Sequence, residues 1–118
     1  MLVDDDARFR RTALRTLAAE GVEVLAEVGD GVLAAAMVER LRPDVVLVDI
    51  RMPGVDGLEV ARRLQRLREP PVVILISTID SDSGRQLAGG LAAGYLSKDA
   101  LSRAAILELT GPPRQPTG

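Results

Sequence analysis

Short apolar, valine-rich runs recur along this chain, and between them the apolar residues switch to helical spacing. Val22–Val28, Val45–Val48 and Val72–Ile76 are brief and bounded by glycine, proline or charge, as strands are. Met1–Val3 and Tyr95–Ser97 read as a very short first strand and a short last one. Near-continuous apolar runs suit strands buried on both faces, the situation in a parallel sheet. Phe9, Ala13 and Leu17 share a helical face, as do Leu33, Met37 and Leu41, then Val60, Leu64 and Leu67. Gly21, Arg42-Pro43 and Glu69-Pro70-Pro71 are read as the stops of these three helices. A fourth helix is expected over Ser81–Ala93, weakened by Gly84, Gly89 and Gly90 at roughly 1 kcal/mol each relative to alanine. A fifth should start near Leu101 and fade by Thr110. Strand–helix alternation of this kind implies a doubly wound α/β sandwich of three layers.

At 118 residues there is room for one core only. Residues 1–110 are expected to form that domain, and residues 111–118, with three prolines, a flexible tail or the start of a linker. The chain has no cysteine and no histidine, which excludes disulfides, thiolate or imidazole metal sites, Ser-His-Asp triads and a histidine general base. Its 15 basic and 17 acidic side chains disfavour direct nucleic-acid binding, and Phe9 and Tyr95, the two aromatics, offer no stacking platform. The acidic Asp4-Asp5-Asp6 stands where a secretory signal would be basic and then apolar. The apolar stretches, Val72–Ile76 among them, are far too short to cross a bilayer. The simplest expectation is a cytoplasmic protein that works on no membrane.

In doubly wound folds ligands sit at the carboxyl ends of the strands. Polar residues collect there: Val3 leads into Asp4-Asp5, Val48 into Asp49, Ile76 into Ser77-Thr78, and Leu96-Ser97 into Lys98. Taken singly each has an ordinary explanation. Asp49 could cap the loop before the next helix, Ser77 could be a turn residue, and Lys98 could form a structural ion pair. The acidic triplet could be a solvated loop, with Asp6 as a helix N-cap. Their joint placement at four strand ends is the stronger signal. Neighbouring carboxylates repel unless a cation lies among them, and a site of hard oxygens without nitrogen or sulfur ligands suits Mg²⁺.

Over nearly its whole length the chain resembles the receiver domain of bacterial two-component response regulators, in the style of receivers from regulators of the LuxR and FixJ type. Pro43-Asp44-Val45-Val46-Leu47-Val48-Asp49-Ile50-Arg51-Met52-Pro53-Gly54-Val55-Asp56-Gly57 is very close to the phosphoacceptor segment of that family. Leu2-Val3-Asp4-Asp5-Asp6 resembles its acidic start, Ile76-Ser77-Thr78 its switch hydroxyl, and Gly94-Tyr95-Leu96-Ser97-Lys98-Asp99 its lysine segment. The resemblance implies a flavodoxin-like (βα)5 fold with strand order 2-1-3-4-5. It implies that Asp49 is the phosphoacceptor and that Asp5 binds Mg²⁺ directly, with Asp4 assisting. Asp49 itself and the backbone carbonyl of Arg51 would complete the protein ligands. Ser77 and Lys98 would contact the phosphoryl group, and Tyr95 would be the aromatic that turns inward on activation. A core aromatic at a strand edge is the equally weighted reading of Tyr95. The side chains of Arg51 and Ile79 would border the path of the hydrolytic water, and neither can orient it, so slow dephosphorylation is expected.

The implied partners are a sensor histidine kinase, a downstream output protein or a fused DNA-binding domain, and a second copy through the face formed by the fourth helix, fifth strand and fifth helix. Lys98-Asp99-Ala100-Leu101-Ser102, followed by a brief helix and a Pro-rich end, resembles single-domain receivers, so a stand-alone module is the expectation. Lys98 is followed by Asp99 in place of the frequent proline, as in receivers that precede helix-turn-helix domains. Two other functions compete. A Mg²⁺-dependent phosphatase of the haloacid dehalogenase type needs an acidic residue two after the nucleophile, where Arg51 stands. A degenerate receiver acting only as an interaction surface would not need to keep Asp4, Asp5, Asp49, Ser77 and Lys98.

Overall fold

Two central runs organise the molecule because their side chains alternate between two apolar layers. In the computed structural model, which describes residues 1–78 and 81–111, Val45–Asp49 forms β3 and Val72–Ser77 forms β4. They pair in parallel along five residues, from Val45 opposite Val72 to Asp49 opposite Ile76. Leu2–Val3 is β1, Glu27–Val28 is β2 and Gly94–Ser97 is β5. All pairings are parallel, and the order is β2-β1-β3-β4-β5, as expected.

The helices are α1 (Ala7–Ala19), α2 (Ala34–Leu41), α3 (Gly57–Gln65), α4 (Ser81–Ala88) and α5 (Arg103–Thr110). Val46, Val48, Val73 and Leu75 point into the layer that holds Ala34 and Val38 of α2, Val60, Ala61 and Leu64 of α3, and Ala88 of α4. Leu47, Ile74 and Ile76 point the other way, against Ala13 and Leu17 of α1 and the half-buried Ile106 and Leu109 of α5. That period of two is what a strand covered on both sides requires. Burying each such Val, Leu or Ile contributes roughly 1.5–3 kcal/mol.

Four sequence expectations are corrected. The run Val22–Val28 is strand only at Glu27–Val28, because a strand needs a partner and β1 offers β2 just Leu2 and Val3. The fourth helix stops at Ala88 rather than Ala93, where Gly89 takes the left-handed conformation (φ +49°) that glycine adopts without steric cost. In the second helix Leu33 is exposed and belongs to a 3₁₀ turn, Gly31–Leu33. Ala34 and Val38 are the helix's buried residues, while Met37 packs against the core half-buried. The fifth helix begins at Arg103, two residues late, since the Ser102 hydroxyl caps it by accepting from the Ala105 N–H at 3.0 Å. The expected tail lies outside the described residues beyond Gly111, and so does Ile79. Among the described residues no helix is long and apolar enough to cross a membrane.

Candidate functional site

Three strand ends and one loop converge at the carboxyl edge of the sheet. β1 stops at Val3, so Asp4 and Asp5 leave the sheet directly. Asp4 is fully buried. One of its oxygens, Oδ1, accepts from the Asp6 N–H at 2.8 Å. Asp6 then caps α1, accepting from the N–H groups of Arg8 and Phe9 at 3.0 and 3.2 Å. Asp5 is exposed, so its carboxylate is open toward solvent while that of Asp4 is tied down.

Asp49 is the last residue of β3 and only 5% exposed. Its Oδ1 accepts from the Arg51 N–H at 3.1 Å, which fixes the carboxylate against the loop that follows. Carboxylate oxygens of Asp4, Asp5 and Asp49 lie within 4.8 Å of one another. Lys98, on the 3₁₀ turn after β5, reaches into this group. Its Nζ stands 2.8 Å from Asp4 Oδ2 and 3.3 Å from Asp49 Oδ2. Sequence reasoning expected Lys98 beside the acceptor; the structure makes it a bridge between two buried carboxylates.

The electrostatics follow from burial. Burial and then the charge of Asp4 push the Asp49 carboxyl above its ordinary 3.8, opposed by the Arg51 N–H and by Lys98. Burial by itself would lower Lys98, but its hydrogen bonds to Asp4 and Asp49 and their charges hold it above 10.5. Two carboxylates and one ammonium leave the site with excess negative charge, to which exposed Asp5 adds. An all-oxygen donor set with uncompensated charge fits a hard divalent cation such as Mg²⁺.

Ser77 ends β4, two per cent exposed, one position beyond the residue paired with Asp49. Tyr95 of β5 is buried, and its hydroxyl donates to the Ser77 backbone carbonyl at 3.1 Å. The ring is therefore already inward. Arg51 is exposed.

These motifs and this strand order agree with what the chain is similar to. It matches the family described as "Response regulator receiver domain" over residues 1–109. The chain belongs to the response regulator receiver domain family. Its relatives include "Probable transcriptional regulatory protein NarL" of Mycobacterium tuberculosis, 40% identical over an alignment of 100 residues that covers 82% of this chain and 46% of that protein. Another is "Protein-glutamate methylesterase/protein-glutamine glutaminase" of Alkalilimnicola ehrlichii, 37% identical over 95 residues, 79% of this chain and 24% of the relative. The receiver domain thus spans less than half the length of either relative. Among solved structures, the signal receiver domain of NarL from Mycobacterium tuberculosis superposes with a TM-score of 0.81 at 35% identity, covering 94% of each chain.

Three parts of this receiver's site escaped the sequence reading. The Phe9 ring lies 4.4 Å from Lys98 Nζ, a cation–π contact that adds a further hold on the ammonium. The Arg10 guanidinium donates to the Asp4 backbone carbonyl and pairs with Glu27 of β2 at 3.2 Å, fastening the acidic loop to the sheet edge. A Cβ on Gly57 would stand 1.9 Å from the Asp49 carbonyl oxygen, so only glycine lets α3 start this close behind Asp49. A hint existed for Phe9 and Arg10. Both follow the Asp6 cap within one turn, which places them at the site's end of α1.

Proposed function

We propose that this receiver domain accepts a phosphoryl group on Asp49 from a phosphohistidine of a sensor kinase, in a reaction that depends on Mg²⁺. The observation that carries the reading is the buried Asp49 carboxylate held between an acidic pair and the Lys98 ammonium. A carboxylate attacking an anionic phosphoryl group meets like-charge repulsion, so the task of the protein is positioning and charge cancellation. The Arg51 N–H fixes Asp49 Oδ1, which leaves Oδ2 on the Lys98 side as the attacking atom. As the Asp49 O–P bond forms, the donor P–N bond breaks and the imidazole leaves with a solvent proton. Lys98 moves from the lost carboxylate charge to the new phosphoryl oxygens, still held by Asp4 and Phe9.

Asp5 and Asp49, with Asp4 alongside and the Arg51 carbonyl, would hold the cation, which when bound offsets negative charge on the phosphoryl oxygens. Ser77, at the end of β4, would donate to the phosphoryl group. No histidine or other general base is required. Arg51 and Ile79 would leave the hydrolytic water unoriented, so the acyl phosphate should be long-lived. We extend the reading to the whole protein as a signalling module: residues 1–110 the receiver, the rest a tail or linker. A separate output protein or a fused DNA-binding domain would read the face formed by α4, β5 and α5, and a second copy would pair there. Resemblance to a transcriptional regulator supports the DNA-binding alternative.

The test is incubation with acetyl phosphate and Mg²⁺, read by intact mass. The wild type should gain one phosphoryl group and Asp49→Asn none, because an amide cannot form the acyl phosphate. Equal labelling of the two proteins would move the acceptor elsewhere, and no labelling of either would favour a receiver that works through contact alone.

A further inference from the structure

We propose that Gly84 holds Tyr95 inward before any phosphoryl group arrives, so that packing, and not the state of Asp49, sets the ring's position on the α4–β5–α5 face. The proposal deepens the phosphoacceptor reading and rests on it for its regulatory meaning. Gly84 lies in the middle of α4, where glycine is the poorest non-proline choice, and it is buried. Its φ is outside the left-handed range, so backbone conformation does not require it. Space does. A Cβ built on Gly84 would stand 2.2 Å from Tyr95 Cε1, 2.3 Å from Cζ and 2.4 Å from Cδ1. The tyrosine ring occupies the volume in which any other side chain at position 84 would lie.

The ring is fixed at both ends. Gly84 and the neighbouring buried Ala88, one turn on, let α4 lie close against it, and the hydroxyl donates to the Ser77 carbonyl at 3.1 Å. That acceptor is backbone, so drawing the Ser77 hydroxyl toward a phosphoryl group does not break the bond. Turning outward would abandon the hydrogen bond and leave a void above a residue with no side chain to fill it. A cavity of about 340 Å³ between α4 and α5, bordered by Arg85, Ala88, Ala105 and Leu109, has the Tyr95 ring as a fixed wall. In this receiver phosphorylation then changes charge at the carboxyl edge of the sheet while the aromatic stays where it is.

The experiment uses the fact that Tyr95 is the chain's one tyrosine and tryptophan is absent, so tyrosine emission reports this ring alone. Acrylamide quenching is measured on the full chain before and after treatment with acetyl phosphate and Mg²⁺, with intact mass followed in parallel. Wild type should be shielded equally in both states. Gly84→Ala should become severalfold more quenchable before phosphorylation. Gly90→Ala, where a Cβ meets nothing within 4 Å, should behave as wild type. A wild-type ring that is open at first and shielded only after phosphorylation overturns the proposal, as does a Gly84→Ala protein shielded like wild type. Should Gly84→Ala fail to fold, Gly84→Ala/Tyr95→Leu must recover folding, and failure to do so also overturns it. Absence of a mass gain would sink the phosphoacceptor reading instead, while the untreated proteins still decide the ring's position.

Discussion

Asp49 sits where a carboxylate is least comfortable, at the end of a buried strand and facing a second carboxylate. Its raised pKa means that the folded chain binds a proton more tightly than the unfolded chain does. Between the ordinary carboxylate value and the raised one, the native state therefore holds more protons, and the linkage slope is negative. The contribution of this group is fully present below the unfolded pKa and is lost as pH rises through the folded one. In metal-free buffer Asp49→Asn should remove that loss and be the more stable protein at neutral pH, the gap closing as pH falls below 4 or so. Urea unfolding at a series of pH values measures this. A wild-type stability that instead climbs through the same range would show that Lys98 outweighs burial and Asp4 together. The placement of Asp4, Asp49, Ser77 and Lys98 was legible in the sequence because a strand terminus is a local event. Phe9 under Lys98 was not, since a ring at the third residue of a helix reads as core until the lysine's own loop is placed beside it.

Among the elements, β3 and β4 announce themselves because both faces are covered, so every residue before the polar strand end is apolar. β2 does not, because its length depends on how many residues β1 presents, and that is a property of pairing rather than of the run Val22–Val28. The early stop of α4 was half legible: the glycines were visible, but not which of them would turn left-handed. The start of α3 is set by a close approach. Gly57 donates its N–H to the Ile50 carbonyl at 2.9 Å and lies against the backbone of Asp49. Gly57→Ala must push helix and strand end apart, a rigid backbone collision that should cost about 1–3 kcal/mol or more. Denaturant midpoints read the stability, and acetyl phosphate labelling should slow in the same variant because the strand end that carries Asp49, the proposed acceptor, moves. A variant as stable as wild type would mean that α3 can slide away from β3 freely.

Across the whole molecule the sheet is unevenly sewn. β3 and β4 share five paired residues and β4 and β5 four, while β1 is joined to each neighbour by two. Amide exchange should thus be slowest in β3 and β4 and faster at Leu2–Asp5 and Glu27–Val28, the part with the lowest local opening free energy. Saturating Mg²⁺, at roughly 100 times its Kd, should add about 2.7 kcal/mol of stability. Its protection should concentrate at Leu2–Asp5, and Asp5→Ala should lose both effects. Uniform slowing across all five strands would argue against this division. The division matters because the carboxylates come from both sides of the seam: Asp4 and Asp5 from the loosely held strand, Asp49 from the firmly held one. Peeling two residues of β1 would take away two of the three carboxylates proposed to hold the cation. The time a bound cation stays would then follow how often that edge frays, and its dwell time would be a local folding rate.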